Sequence, residues 1–231
     1  DVANSVLGKL GIPPTCGIGN VEEIVPKIRW LAARHLALPI DAIQVTLVAH
    51  HALQRFTLGR AAVESAASAP FFLKIEANGN NVTKEINADE LLLSEFPITA
   101  GPASHVLTAA TTARLVNALV GESEHYFHVP GPNGLPGGYP VYAISAGVRL
   151  AVIPELPLDE AIRINEESHR FDGIERIEED GSVRFAERAV QTMRETLGYD
   201  CPVLRPEEVD DRSRELVQRF AECANRLGVK L

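Results

Sequence analysis

Eight residues, Ala42-Ile43-Gln44-Val45-Thr46-Leu47-Val48-Ala49, constrain this chain more than any others. They form a β-rich apolar run that stops abruptly at His50-His51. A helical pattern comes before it. Asn20 stands at an N-cap position, Glu22 and Glu23 fall in the first turn, and Val21, Ile24, Ile28, Leu31 and His35 keep helical spacing. Pro26 lies inside that run and predicts a kink there, or a helix that starts beside it. A hairpin reads after it: Phe71 to Glu76, a turn at Ala77-Asn78-Gly79-Asn80-Asn81, and Val82 to Ile86 returning. A chain that alternates such segments is mixed α and β.

Further helices are predicted over 1–10, Ser104–Val120, Leu158–His169, about Ala186–Leu197 and the C-terminal stretch. In the Ser104–Val120 helix, Val106, Ala109, Ala113, Val116 and Val120 make one apolar stripe. In the last helix Val209, Leu216, Phe220, Ala224 and Leu227 share a face. Residues 131–138, Gly-Pro-Asn-Gly-Leu-Pro-Gly-Gly, are too rich in breakers for helix or strand. Tyr139 to Ile153 reads as one long strand or a bent pair, and Ile174–Ile177, Val183 and Val203-Leu204 as short strands of a compact βαβα-like tail. The expected fold is therefore α/β or α+β, with a mixed, mainly antiparallel sheet packed against long helices. The expected division is 1–172 for the main body and 173–231 for an extension packed on it.

Composition narrows the function classes. With 45% apolar and 23% charged residues the 231-residue chain is ordinary for a globular protein. A net charge of −9 argues against a broad grip on nucleic acid or anionic lipid, so neither nucleic acid nor membrane is an expected partner. No run reaches the roughly 18 apolar residues of a membrane span, and no signal-peptide pattern opens the chain. Cys16, Cys201 and Cys223 cannot all pair within one chain and suit a reducing, cytoplasmic compartment. Asp1 leads straight into a helical pattern with no initiator Met, which reads as a processed terminus or the start of a piece of a longer protein.

Among the titratable residues, His50-His51 draws most attention. Histidine titrates near neutrality, and strand ends open into clefts, so a proton-transfer role is natural there; a structural role is the alternative. Lys27, Arg29 and Arg34 make the preceding helix cationic. Such a face is usually solvated, yet one cation could clamp a carboxylate or phosphate. His125 and His128 form an HxxH without further ligands at metal spacing, and no metal site is expected. Gly17-Ile18-Gly19-Asn20 lacks the third glycine of a dinucleotide fingerprint.

Asp1 to Leu10, Gly17-Ile18-Gly19-Asn20, the cationic helix and a strand ending in His together resemble the substrate-binding half of the lactate/malate dehydrogenase superfamily, over roughly residues 1–170. The spacing from Leu36 to His51 looks like that family's spacing from helix to catalytic histidine. The resemblance implies a C-terminal-domain-like fold without its nucleotide-binding half, and a role in an NAD(P)-dependent oxidoreductase acting on a small 2-hydroxy acid or related hydroxyl compound. It implies His51 as the catalytic acid–base, Lys27 or Arg29 as substrate clamp, Ser104 lining the substrate pocket and Asn20 toward the cofactor. NAD or NADP belongs to the full-length parent, with none expected for this piece alone, which by itself would be inactive. The partners implied are a small, anionic substrate and a second copy of the chain in a homo-oligomer.

The family follows its histidine with Gly-Asp, whereas here Ala52-Leu53 follow. Its acidic partner would fall at Ile24 or Pro26, so the expected partner of His51 is Glu22 or Glu23 after a helix shift, or a carboxylate from the missing half. The chain also resembles, more distantly, the NAD- and manganese-dependent glycosidases of glycoside hydrolase family 4, which have a Gly-x-Cys-Asn-Val stretch and an Asn-His at the strand end. Here Gly19 takes the Cys slot, Cys16 lies three residues early and His50 replaces the Asn, which disfavours manganese. A non-catalytic oligomerisation or binding domain is the reading from a different class.

Overall fold

The computed structural model describes residues 1–53, 69–93 and 105–229. Its centre is an antiparallel sheet of six strands: β1 (Ile43–Ala49), β2 (Phe71–Ala77), β3 (Asn80–Asn81), β4 (His125–Pro130), β5 (Gly138–Ile144) and β6 (Gly147–Leu150). The order is β3-β2-β1-β5-β4, with β6 folded back on β5. β1 and β2 pair along their whole length, Ile43 opposite Ala77 and Ala49 opposite Phe71, whereas β1 meets β5 only at Ala49 opposite Gly138. A second sheet, also antiparallel, joins β7 (Ile174–Ile177), β8 (Val183–Phe185) and β9 (Val203–Leu204) in the order β7-β8-β9. The class is thus mixed α and β with antiparallel sheets, and the expected βαβα tail is a three-stranded antiparallel sheet.

β1 is buried at every position but Gln44 because both of its faces are covered. Val45, Leu47 and Ala49 pack against Val21, Ile24 and Ile28 of helix α2 (Val21–Leu36). Val48, on the other face, joins Tyr139, Leu156, Ala161 and Ile164, the last two from α5 (Leu158–Ser168). Burying a side chain such as Leu47 or Ile28 contributes about 1.5–3 kcal/mol, so this sandwich holds the end of β1 firmly in place. α2 is one continuous helix across Pro26, whose missing N–H leaves the Glu22 carbonyl without its intrahelical donor.

Helix α4 (His105–Val120; α3, Ala88–Leu93, precedes it) covers β4 and β5 with Leu115 and Ala118 against Phe127, Val129 and Val141. Its buried face carries Leu107, Thr111, Leu115 and Ala118. The apolar stripe read from the spacing is not the buried one: Val106, Val116 and Val120 are exposed. The helix is apolar on most sides, so spacing alone could not choose between two stripes, and the bulkier leucines went in. A similar correction applies to α7 (Val209–Arg226), where Ala224 is buried while Val209 and Phe220, together with Leu227 just past its end, are exposed.

The remaining elements bring distant segments together. α1 (Val2–Lys9) lies against the Pro132–Gly134 turn of the breaker-rich loop, with the Asn4 side-chain amide donating to the Pro130 carbonyl. After α5 a 3-10 turn, His169–Asp172, ends at Gly173 with φ +74°. A Cβ on Gly173 would stand 2.8 Å from Ala189 Cβ of α6 (Glu187–Leu197), so only glycine lets the tail sheet and α6 fold back beside that turn. No helix among the described residues is long and apolar enough to cross a membrane.

Candidate active site

Three segments far apart in sequence meet where β1 ends: Asp1 ahead of α1, His50-His51 after β1, and the His169–Asp172 turn after α5. The His51 backbone N–H and its Nδ1–H both donate to Asp1 Oδ2, at 3.0 and 2.9 Å. The Asn20 amide donates to Asp1 Oδ1 at 3.3 Å. The Asp1 side chain is 0% exposed, so its carboxylate is fixed and dry, while His51 keeps 25% of its surface open. On the far side of the ring, Asp172 Oδ2 lies 3.1 Å from Nε2. His51 thus lies between two carboxylates, hydrogen-bonded to Asp1 through Nδ1 and close to Asp172 at Nε2.

His50 belongs to the same cluster. Its ring centroid is 4.5 Å from that of His51, and its Nε2 stands 3.7 Å from both Asp1 Oδ2 and Asp172 Oδ2. Strand alternation would send the two histidines to opposite faces, but β1 stops at Ala49 and the chain turns at His51, so both rings point one way. The His50 Nδ1 accepts from the Ala52 N–H at 3.2 Å, which places the proton of the neutral ring on Nε2. Burial, with His51 adding to it, pushes the His50 pKa down to about 3 against the smaller opposing pull of Asp172. His169 packs edge-on to His50 at 5.3 Å between ring centroids. Burial lowers its pKa as well, and its Nε2 has no hydrogen-bond partner among the described residues.

Candidate ligand atoms of Asp1, His50 and His51 lie within 4.8 Å of one another. Their hydrogen bonding suits proton transfer better than metal ligation. Asp1 Oδ2 already takes two N–H groups, and His50 directs a proton, not a lone pair, into the cluster. What the arrangement can do is orient one imidazole and move a proton at its Nε2.

The other expected site residues are placed elsewhere. The Lys27 ammonium, on buried Lys27, donates to the Leu92 carbonyl at 2.6 Å. Arg29 donates from Nε to the Ile43 carbonyl and from Nη2 to the Ile40 carbonyl, at the opposite end of β1 from His51. Neither cation joins the His51 cluster. Ser104 lies outside the described residues. The Asn20 side chain bonds Asp1 and makes no cap bond to the helix it precedes; with φ 53° the residue follows Gly19 in left-handed backbone. Glu22 and Glu23 are not the partners of His51. Glu22 Oε2 accepts from the His128 N–H at 2.7 Å and lies 3.4 Å from His128 Nδ1, while His128 Nε2 accepts from Leu47 N–H. Glu23 accepts from the Thr108 hydroxyl.

Sequence reasoning missed Asp1, Asp172 and His169. Only the acid-and-histidine run His169-Arg170-Phe171-Asp172 just before a glycine signalled the last two, and that pattern reads equally well as an ordinary helix end.

The placement of Lys27 has a measurable consequence. Burial lowers its pKa to about 8, below the 10.5 of an exposed lysine. Between those values the unfolded chain holds a proton that the folded chain has released, so stability rises with pH from about 8 to about 10.5. Urea unfolding of the wild type at pH 7.5, 9 and 10 is expected to show the rise, and Lys27→Met to flatten it.

No family model matches this chain, and no curated protein matches it.

Proposed function

We propose that this chain is the proton-transferring, substrate-binding part of an oxidoreductase that interconverts a hydroxyl and a carbonyl group. The observation that carries the reading is the pairing of His51 Nδ1 with the buried Asp1 carboxylate at 2.9 Å, at the half-open end of a rigid strand. Asp1 holds the ring with its proton on Nδ1 and leaves Nε2 for the reaction, as a carboxylate does for a catalytic histidine elsewhere. In oxidation His51 Nε2 takes the proton of the substrate hydroxyl; in reduction the imidazolium gives it to the developing alkoxide. The substrate oxygen takes the position beside Nε2 that Asp172 Oδ2 holds in the structure.

The resemblance to the lactate/malate dehydrogenase superfamily supports hydride exchange with NAD or NADP as the accompanying chemistry. The described residues do not themselves offer a nucleotide cradle: the glycine fingerprint is absent and Asn20 is spent on Asp1. The dinucleotide is therefore assigned to residues other than the described ones. Two aspartates at the site, with Lys27 and Arg29 bonded elsewhere, favour an uncharged hydroxyl compound over a 2-hydroxy acid.

The protein carrying this chain is tested with NADH and NADPH against uncharged ketones and 2-oxo acids, following nicotinamide absorbance and product. Turnover of ketones in preference to oxo acids is expected. Failure to turn over any carbonyl or hydroxyl compound with either nucleotide overturns the reading.

A further inference from the structure

Beside the His51 cluster lies a cavity of about 320 Å³ between the tail sheet, α6 and α7. Phe185, Val190, Met193, Leu204 and Leu216 line it with carbon. Three polar side chains in its wall are paired. The Tyr199 hydroxyl donates to the Arg212 carbonyl, the Cys201 thiol to the Val203 carbonyl, and the Arg212 guanidinium pairs with Glu215. The other polar residues in the wall are Ser213 and Asp172, and Asp172 Oδ2 is 3.1 Å from His51 Nε2. One residue is thus shared by the cavity and the proton-transfer site.

Resting on the oxidoreductase reading above, we propose that this cavity takes the apolar body of the substrate, whose hydroxyl or carbonyl reaches His51 Nε2 once the Asp172 carboxylate, which stands between the cavity and the ring, swings aside. Size sets the class. An apolar cavity of about 150 Å³ binds benzene, so roughly twice that volume takes a bicyclic or branched body of about ten carbons. Bulky secondary alcohols and their ketones fit; lactate-sized compounds leave most of the space unfilled. A wall of carbon gains by excluding water from such a body and offers nothing to a second charged group.

Met193 is the chain's only methionine, so a methyl-13C label there reports from inside the cavity without cofactor or turnover. 4-tert-Butylcyclohexanol is titrated into the labelled protein while the Met193 methyl and the His51 ring signals are followed by NMR. The expected result is a saturable Met193 shift with a midpoint below about 1 mM, accompanied by a shift of the His51 ring. Lactate is expected to leave Met193 unmoved. Leu216→Trp, which fills the cavity, is expected to weaken binding at least tenfold. Ser213→Phe, at an exposed position on the cavity wall, does the same should the first variant not fold.

Absence of a saturable Met193 shift overturns the proposal, as does a shift indifferent to both filling variants. A Met193 shift with His51 unmoved also overturns it, because the cavity would then not serve this site. Failure of the oxidoreductase reading is seen separately, as absent turnover in the nicotinamide assay with binding at Met193 intact.

Discussion

Replacing His51 by glutamine is expected to lower turnover at least a hundredfold, the low end of what general acid–base catalysis contributes, with the fold intact. Glutamine keeps a side-chain amide that can still reach Asp1, but it cannot carry a proton to and from the substrate oxygen. The fold should tolerate the change because His51 is a quarter exposed and lies in a turn beyond the end of β1. Asp1 is a positioning residue by the same geometry. Asp1→Asn presents an amide where His51 Nδ1–H and the His51 backbone N–H now find an acceptor, which favours the wrong tautomer. Its turnover is expected to fall together with a displaced pH profile, a change that loose packing alone would not produce. Steady-state rates and pH profiles of the two variants, with circular dichroism as the control on folding, decide this. Unchanged turnover of an established substrate by His51→Gln would falsify the assignment of the acid–base.

The second large effect is on stability in acid. Below about pH 6.5 the unfolded chain protonates His50, whereas the folded chain keeps it neutral down to about pH 3, because the ring is 1% exposed and faces His51 and His169, which outweigh the opposing pull of Asp172. The unfolded state therefore binds the extra proton, and stability is complete above pH 6.5 and lost as pH falls. The slope is about 1.4 kcal/mol per pH unit from His50 alone, so ~3 kcal/mol is gone by pH 4.5. That is a large share of the roughly 5–15 kcal/mol that holds a domain together. His169, lowered for the same reason, adds in the same direction. Denaturant midpoints measured from pH 7 to pH 4.5 are expected to fall steeply in the wild type and less steeply in His50→Gln. Parallel curves would show that His50 charges without penalty.

These two histidines also show where the sequence was readable and where it was not. The strand was legible within one residue, Ala42–Ala49 against Ile43–Ala49, because a β-branched run has no good alternative. The doublet at its end was legible as a candidate site for the same reason. The orientation of His50 was not, since alternation applies only while the strand continues. The clamp was misplaced because a lysine or arginine on a helix looks the same from the sequence whether it meets a substrate or a backbone carbonyl. Lys27 and Arg29 both went to carbonyls, of Leu92 and of Ile40 and Ile43, none of them within seven residues of its cation in sequence.

The sequence by itself determined the local elements: the apolar strand, the helices with their acidic first turns, the breaker loop, and a mixed class with antiparallel pairing. Each follows from interactions within a few residues, where propensity, capping and periodicity act. Tertiary structure alone decided which stripe of α4 faced the core and which carboxylates met His51. Asp1, His51 and Asp172 are separated by 50 and 121 positions, and no local rule links them. They meet because α1 packs on the Pro132–Gly134 turn, α5 packs across β1, and Gly173 lets the tail fold back. Burial of those three contacts brings the acids to the histidine.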